Sequence, residues 1–221
     1  MRAIQIKLYS YEELSPEAQK VAREQWEQDD REAGSPSACE IVNEDFEQAV
    51  GDAGYPTDNI QWSLSYCQGD GMAFYGKEDV DSKMLDRLVP ATSTVMGAKL
   101  AAMKRLLEID AISLVVEITP NSFGSHYAHY NTMDVQLHIY FNEDLPEVDV
   151  EWVESWCESL KGLIEEDVRS LSQKLASQGY VVFDSYYEEE YVADMLIGNE
   201  YEFTKDGSFW HHNSWVEPSD G

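Results

Sequence analysis

Histidine, cysteine and carboxylate are the side chains through which this 221-residue chain could do chemistry, and it holds 5, 3 and 43 of them. His126 and His129 stand three apart in a tyrosine-rich stretch, His211 and His212 are adjacent, and His138 falls on the polar side of an alternating run. A zinc site needs three or four convergent ligands, and no HExxH or CxxC pattern supplies them, so no metal or other cofactor is expected. A cysteine nucleophile needs a lowered pKa and a nearby base. Cys39, Cys67 and Cys157 are widely spaced, and none has an electropositive setting by sequence. They read as core or partly exposed thiols in a reducing compartment. Asp70 lies between Gly69 and Gly71. A phosphate loop would need further glycines and a Lys-Ser/Thr pair, so Asp70 reads as a turn residue. No catalytic residue is predicted, and the chain reads as a binding protein rather than an enzyme.

The carboxylates are the outlier. Against 15 Lys plus Arg they give a net charge of −28 and a pI near 4.2, and residues 142–221 alone hold 20 acids and four bases. Such a surface repels nucleic acid and anionic membranes and attracts basic partners at long range; solubility is the simpler use of the same charge. The acids fall in helical stripes. Glu40, Glu44 and Glu47 form one. Glu147, Glu151, Glu154, Glu158 and Glu165 form a second, and Glu188, Glu189, Glu190 and Asp194 a third. One carboxylate per ~5.4 Å turn is a sparser version of the phosphate line of B-DNA, with its charge every ~1.7 Å. Neighbouring stripes could therefore imitate a nucleic-acid surface. The 26 aromatic residues, stacking platforms in a basic protein, read here as core or as interface anchors.

The elements that must position these residues are legible from periodicity. Ala3–Tyr9 alternates as a first strand. Ser15-Pro16-Glu17 caps a helix with Ala18, Val21, Ala22 and Trp26 on its apolar stripe and Lys20–Glu24 and Arg23–Glu27 pairs outside. A second helix runs over 38–53. A hairpin spans Ile60–Gly76, with Ile60, Trp62, Leu64 and Tyr66 on one face and its turn at Gly69-Asp70-Gly71. Helices over 81–89 and 93–108 flank Pro90; Lys99, Lys104 and Arg105 on the second read as partners for nearby carboxylates. Two strands, Ile112–Ile118 and Met133–Ile139, form another hairpin around a long loop of 120–131, a length that marks it as functional. The longest helix should stop at Gly179, with a short strand at Tyr180–Phe183, an acidic helix at Glu188–Leu196 and a last hairpin at Tyr201–Trp210 turning on Asp206-Gly207. The chain therefore reads as α+β, an antiparallel sheet of hairpins with helices packed mainly on one face, in one domain over 1–210 with a flexible tail at 211–221. No long apolar run or signal sequence is evident, so a cytoplasmic, non-membrane protein is expected.

Three stretches carry a resemblance. They are Tyr9-Ser10-Tyr11-Glu12-Glu13-Leu14-Ser15-Pro16-Glu17-Ala18-Gln19, the hairpin from Trp62 through Leu64-Ser65-Tyr66-Cys67-Gln68-Gly69-Asp70-Gly71 to Ala73-Phe74-Tyr75-Gly76, and Glu200-Tyr201-Glu202-Phe203-Thr204-Lys205-Asp206-Gly207. Together they resemble a family of small acidic proteins encoded by phages and prophages, some of which are labelled antitoxins. That resemblance implies a phage accessory protein in a bacterial cytoplasm and supplies no catalytic residue. Joined to the acidity, it implies an inhibitor of a host nucleic-acid-binding defence system, a CRISPR effector or restriction enzyme, that occupies a basic channel by mimicry. The partner would be a basic protein or nucleoprotein, with no direct nucleic-acid contact. The alternative is an antitoxin-like module that neutralises a basic toxin, and a metal-dependent enzyme built on His126 and His129 ranks third.

Overall fold

The structure is a computed structural model that describes residues 6–89, 94–122, 127–142 and 149–210. Among them, the chain is α+β, with six helices and a four-stranded antiparallel sheet. Contacts sort it into two compact units, Met1–Val42 with Val181–Gly221, and Asn43–Tyr180.

The second unit holds the sheet, in the order β1 (Asn59–Ser63), β2 (Gly71–Asp79), β3 (Ile112–Pro120), β4 (Met133–Phe141). Alternation sets its register. Ile112, Leu114, Val116 and Ile118 are buried on β3, and Leu114 lies opposite Ile139, Val116 opposite Leu137 and Ile118 opposite Val135. The other face is wetter. There Lys77 lies opposite Glu117 and Val115 opposite His138. The Glu117 carboxylate takes Lys77 at 3.1 Å and His138 at 2.6 Å, the first of which chiefly holds its pKa below the usual range. His138 thus sits on the polar face, as its strand position predicts.

Helices of this unit are α3 (Ser82–Leu88), α4 (Thr94–Glu108) and most of α5 (Val150–Tyr186), and α2 (Pro36–Asp52) ends in it. Asp81 caps α3 by accepting from Met84 N at 2.8 Å. Lys104 of α4 pairs with Asp86 of α3 at 2.5 Å, the internal partnership expected of it, whereas no ion pair among the described residues includes Lys99 or Arg105. Phe46 and Val50 of α2 are buried, and the Trp62 ring meets Phe46 edge-on at 6.2 Å while its Nε1 donates to Asn43 at 2.6 Å. On α5, Val153, Trp156, Leu160, Ile164 and Val168 recur at helical spacing and are all buried. Asp167 on the same helix accepts from Tyr55 at 2.7 Å and from Arg87 at 2.6 Å, and Arg87 also donates to Ala53 O at 2.8 Å.

The first unit is built on α1 (Pro16–Glu32) and α6 (Glu189–Gly198). Ser15 caps α1, accepting from Ala18 N at 3.3 Å with Pro16 at the first helical position. Its core is Tyr11, Leu14, Ala18, Ala22, Val192, Leu196 and Phe203. Val21, expected on the buried stripe, is 42% exposed. The predicted Lys20–Glu24 pair forms at 3.6 Å, but Arg23 reaches Glu189 at 2.5 Å, and Glu27 pairs instead with Arg31 at 2.9 Å.

Several predicted features differ. No strand forms over the described part of Ala3–Tyr9; Tyr9 makes a single antiparallel bridge to Phe203. The last hairpin reduces to the Phe203–Phe209 bridge around a tight turn, where Thr204 N donates to Ser208 O at 2.9 Å and Gly207 N to Thr204 O at 3.0 Å. Gly207 has φ +92°, and a Cβ there would collide with the Ala18 carbonyl of α1, so only glycine serves. β1 stops at Ser63, and Tyr66, expected on its buried face, is 71% exposed with φ +57°. Gly179 does not stop α5, which continues through the expected strand Tyr180–Phe183 to Tyr186. A Cβ at Gly179 would come within 2.6 Å of Leu64 Cδ1 and 2.8 Å of Phe46 Cζ, so this glycine serves close packing rather than termination.

Candidate functional site

The acidic stripes fall on helix surfaces. Glu44 and Glu47 on α2, Glu151, Glu154 and Glu158 on α5, and Glu188, Glu190 and Asp194 at α6 are exposed, as is Glu40 nearer the start of α2. Glu165 departs from the prediction. It is half-buried, with Lys161 at 3.8 Å and Arg169 at 3.9 Å, which spend its charge internally. Glu189 is likewise held by Arg23. Glu147 lies outside the described residues, as do His126, His211, His212 and the 211–221 tail. Among the described residues, eight Lys and Arg sit in ion pairs with carboxylates. None of the pairs among the described residues includes Glu151, Glu154 or Glu158. At spacings of three and four residues these three form one line along α5.

The two loops singled out by sequence meet in the second unit. Gln68 and Gly69 of the β1–β2 loop and Tyr127, His129 and Thr132 of the β3–β4 loop line a cavity of about 440 Å³. Glycine permits the meeting: a Cβ on Gly69 would overlap the Tyr127 ring, and one on Gly71 would come within 2.9 Å of Ala128 O. Asp70 organises the first loop. Its carboxylate accepts from Ser63 Oγ at 2.8 Å, Ser65 N at 2.6 Å, Cys67 N at 2.7 Å and the Tyr180 hydroxyl at 2.9 Å. Desolvation pushes its pKa up, but these bonds together outweigh it and bring the pKa to about 2. Asp70 is therefore a fixed anion with its acceptors engaged, the structural turn residue the sequence implies. His129 Nδ1 accepts from Asn131 N at 3.2 Å and its ring stacks on Tyr130 at 3.9 Å; burial lowers its pKa. Neither contact supplies a carboxylate to orient the ring as a base. Burial raises the pKa of Cys157 to about 11, with the Glu154 charge adding to it, and burial likewise raises that of Cys39. Neither thiol is activated as a nucleophile. Among the described residues no three His, Cys, Asp or Glu side chains gather as a metal site would require, and no helix is long and apolar enough to cross a membrane.

Sequence reasoning missed a groove of about 870 Å³ in the first unit. It is lined by four acidic residues, Glu12, Glu13, Glu200 and Glu202, and four aromatic ones, Tyr9, Tyr11, Tyr201 and Trp210. The walls are tied across it by reciprocal backbone bonds of 2.9 Å between Tyr9 and Phe203, and by Trp210 N donating to Glu202 O at 2.8 Å. Tyr11 is fixed by the Arg23 guanidinium, which donates to its hydroxyl at 2.5 Å, and Tyr201 by an edge-on contact with Phe209 at 5.3 Å. Glu13 accepts from Ser10 N at 3.0 Å, closing the turn that carries Glu12. Leu196 of α6 contributes an apolar lining.

No family model, curated protein or solved structure matches the chain.

Proposed function

We propose that this chain is an acidic binding protein that inhibits a nucleic-acid-binding defence enzyme of a bacterial host, a CRISPR effector or a restriction enzyme, by occupying its basic channel in place of nucleic acid. The observation that carries this reading is the exposed line Glu151, Glu154 and Glu158 on α5, outside every ion pair among the described residues of a chain with net charge −28. A cationic channel that tracks phosphates by charge accepts such a line, and the encounter is fast and weakens with salt. The phage resemblance of the Tyr9–Gln19, Trp62–Gly76 and Glu200–Gly207 stretches points to the class of partner. Binding is favoured over catalysis because the described surroundings of His129, Cys39 and Cys157 activate none of them.

The test is capture of purified CRISPR and restriction enzymes on the immobilised protein, with a gel-shift readout of their DNA binding. Wild type should displace DNA, and the displacement should fall as salt rises from 50 to 300 mM. Glu151→Gln/Glu154→Gln/Glu158→Gln should weaken it about tenfold or more. Capture insensitive to both salt and the triple variant refutes mimicry. A second reading, an antitoxin-like module for a basic toxin, is favoured by the aromatic groove of the first unit; rescue of growth on co-expression with a basic toxin would select it.

A further inference from the structure

The groove of the first unit collects negative charge and π-faces in one concavity. Its volume, about 870 Å³, lies in the range of ligand clefts, and among the described residues no Lys, Arg or His lines it. One ammonium already uses a wall: Lys7 Nζ lies 4.4 Å from the centroid of the Tyr9 ring. The same unit also seats a guanidinium on tyrosine, with Arg31 3.8 Å from the centroid of the Tyr187 ring.

Glu200 shows how the groove is built. α6 ends with Glu200 N donating to Ile197 O at 3.0 Å and Tyr201 N to Leu196 O at 3.3 Å, the paired bonds of a Schellman motif. Glu200 occupies the left-handed position, φ +52°, that helix ends usually give to glycine. A carboxylate is thus held on the groove at a backbone position where its side chain is unfavourable. α4 closes in the same way, with Asp110 N donating to Leu107 O, Ala111 N to Leu106 O, and Asp110 at φ +54°. Asp110 belongs to the other unit and does not line the groove, so it is a matched control in charge and conformation.

We propose that this groove binds an arginine side chain presented by an extended basic segment of a partner protein, with the guanidinium stacked on Tyr201 or Trp210 and paired with Glu12 or Glu200. Guanidinium is the better occupant than ammonium because it is planar, stacks on aromatic faces, pairs with carboxylate through two parallel N–H donors and is the more weakly hydrated ion. The groove shares no residue with the α5 carboxylate line, so either reading can fail without the other.

The probe is a capped Gly-Arg-Gly-Arg-Gly peptide titrated into the full chain by calorimetry at ~0.1 M salt, beside the same peptide with Lys for Arg. Wild type should bind the Arg peptide several-fold more tightly than the Lys peptide. Glu200→Gly should weaken Arg-peptide binding about tenfold, the loss of one charge-assisted contact. The same variant should also unfold at higher temperature, because glycine relieves the left-handed backbone, so lost binding is not lost folding. Asp110→Gly should gain stability similarly and leave binding unchanged. Tyr201→Ala should weaken the Arg peptide more than the Lys peptide. Undetectable binding at millimolar peptide, equal affinity for the two peptides, or equal losses in Glu200→Gly and Asp110→Gly would each overturn the assignment.

Discussion

Two glycines on α5 isolate one packing contact from helix propensity. Gly162 and Gly179 both lie inside the helix, and both should gain ~1 kcal/mol from alanine on propensity alone. Their surroundings differ. A Cβ at Gly162 meets nothing within 4 Å, whereas one at Gly179 comes within 2.6 Å of Leu64 Cδ1 and 2.8 Å of Phe46 Cζ. Leu64 is on a loop and half-buried, so it can rotate away. Phe46 is 1% exposed and held edge-on by Trp62, so it cannot move without opening the core between α2 and β1. Forcing an extra methyl into such a site costs about 1–3 kcal/mol. Gly162→Ala should therefore stabilise by ~1 kcal/mol, and Gly179→Ala should be neutral to ~2 kcal/mol destabilised. Because propensity cancels, the difference between the two variants is the overpacking cost itself. Urea unfolding followed by far-UV circular dichroism, with equal slopes as the check on comparability, measures it. In a chain of this size 1 kcal/mol corresponds to roughly 2–4 °C in Tm. If Gly179→Ala gains as much stability as Gly162→Ala, the glycine is not there for close approach and the packing of Leu64 and Phe46 on α5 is wrong.

Asp70 sets a pH limit on the β1–β2 loop. Its folded pKa of about 2 lies below the unfolded value, so its contribution is complete above about pH 4 and is lost as pH falls through that value toward 2. Screening at this partly exposed site holds the contribution to ~1 kcal/mol, and Asp70→Asn should remove that part of the acid transition, read by urea melts at pH 6 and pH 3. Tyr55→Phe removes a hydrogen bond to Asp167 and should cost about 1 kcal/mol, whereas Arg87→Met, which removes the guanidinium paired with that carboxylate, should cost more. Ser172, 1% exposed, donates to the Met72 carbonyl, so Ser172→Ala leaves that carbonyl short of a donor and should cost ~1–2 kcal/mol. Raising NaCl from 20 to 500 mM should raise Tm, since a −28 chain repels itself; a fall in Tm would show that its ion pairs outweigh the repulsion.

The local signals that proved legible are those with a single physical meaning. Ser15-Pro16 caps a helix because hydroxyl acceptance and a missing N–H suit only that position, and the strict alternation of Ile112–Ile118 against Met133–Ile139 fixes both strands and their register. The misread signals have two meanings. Gly179 ends a helix or lets another element approach one, and nothing in the adjacent sequence tells which; Leu64 and Phe46, far away in the chain, decide it. Val181-Val182-Phe183 has the composition of a strand but finds no neighbouring strand, so the backbone keeps its helical bonds to Tyr186. Tyr66 follows the hairpin alternation in sequence, but the Asp70 hydrogen bonds turn the chain at Ser65 and Cys67 and leave its ring stacked on Tyr180 at 4.6 Å, mostly in solvent.

For the sites, charge was legible and concavity was not. The stripes of Glu44/Glu47 and Glu151/Glu154/Glu158 follow from 3.6-residue periodicity, since an acid that alternates with buried Val153, Trp156 and Leu160 must face outward. The groove joins residues near position 10 to residues near position 200, and no period connects them; the Tyr9–Phe203 bridge and the shared core of Tyr11, Leu196 and Phe203 do. Gly198 stands where a helix end is read from sequence, and only the structure shows that the left-handed position falls on Glu200, two residues later. The two kinds of acid also differ in reach. Exposed carboxylates on α5 act across water, are screened within ~8 Å at physiological salt and steer a partner more than they hold it. The groove carboxylates are exposed as well, but the aromatic residues beside them would add short-range stacking to charge, and stacking acts on dissociation rather than on encounter. Salt should therefore slow the association governed by Glu151, Glu154 and Glu158, while substitutions at Glu200 and Tyr201 should speed dissociation, and stopped-flow kinetics on a common basic partner separates the two.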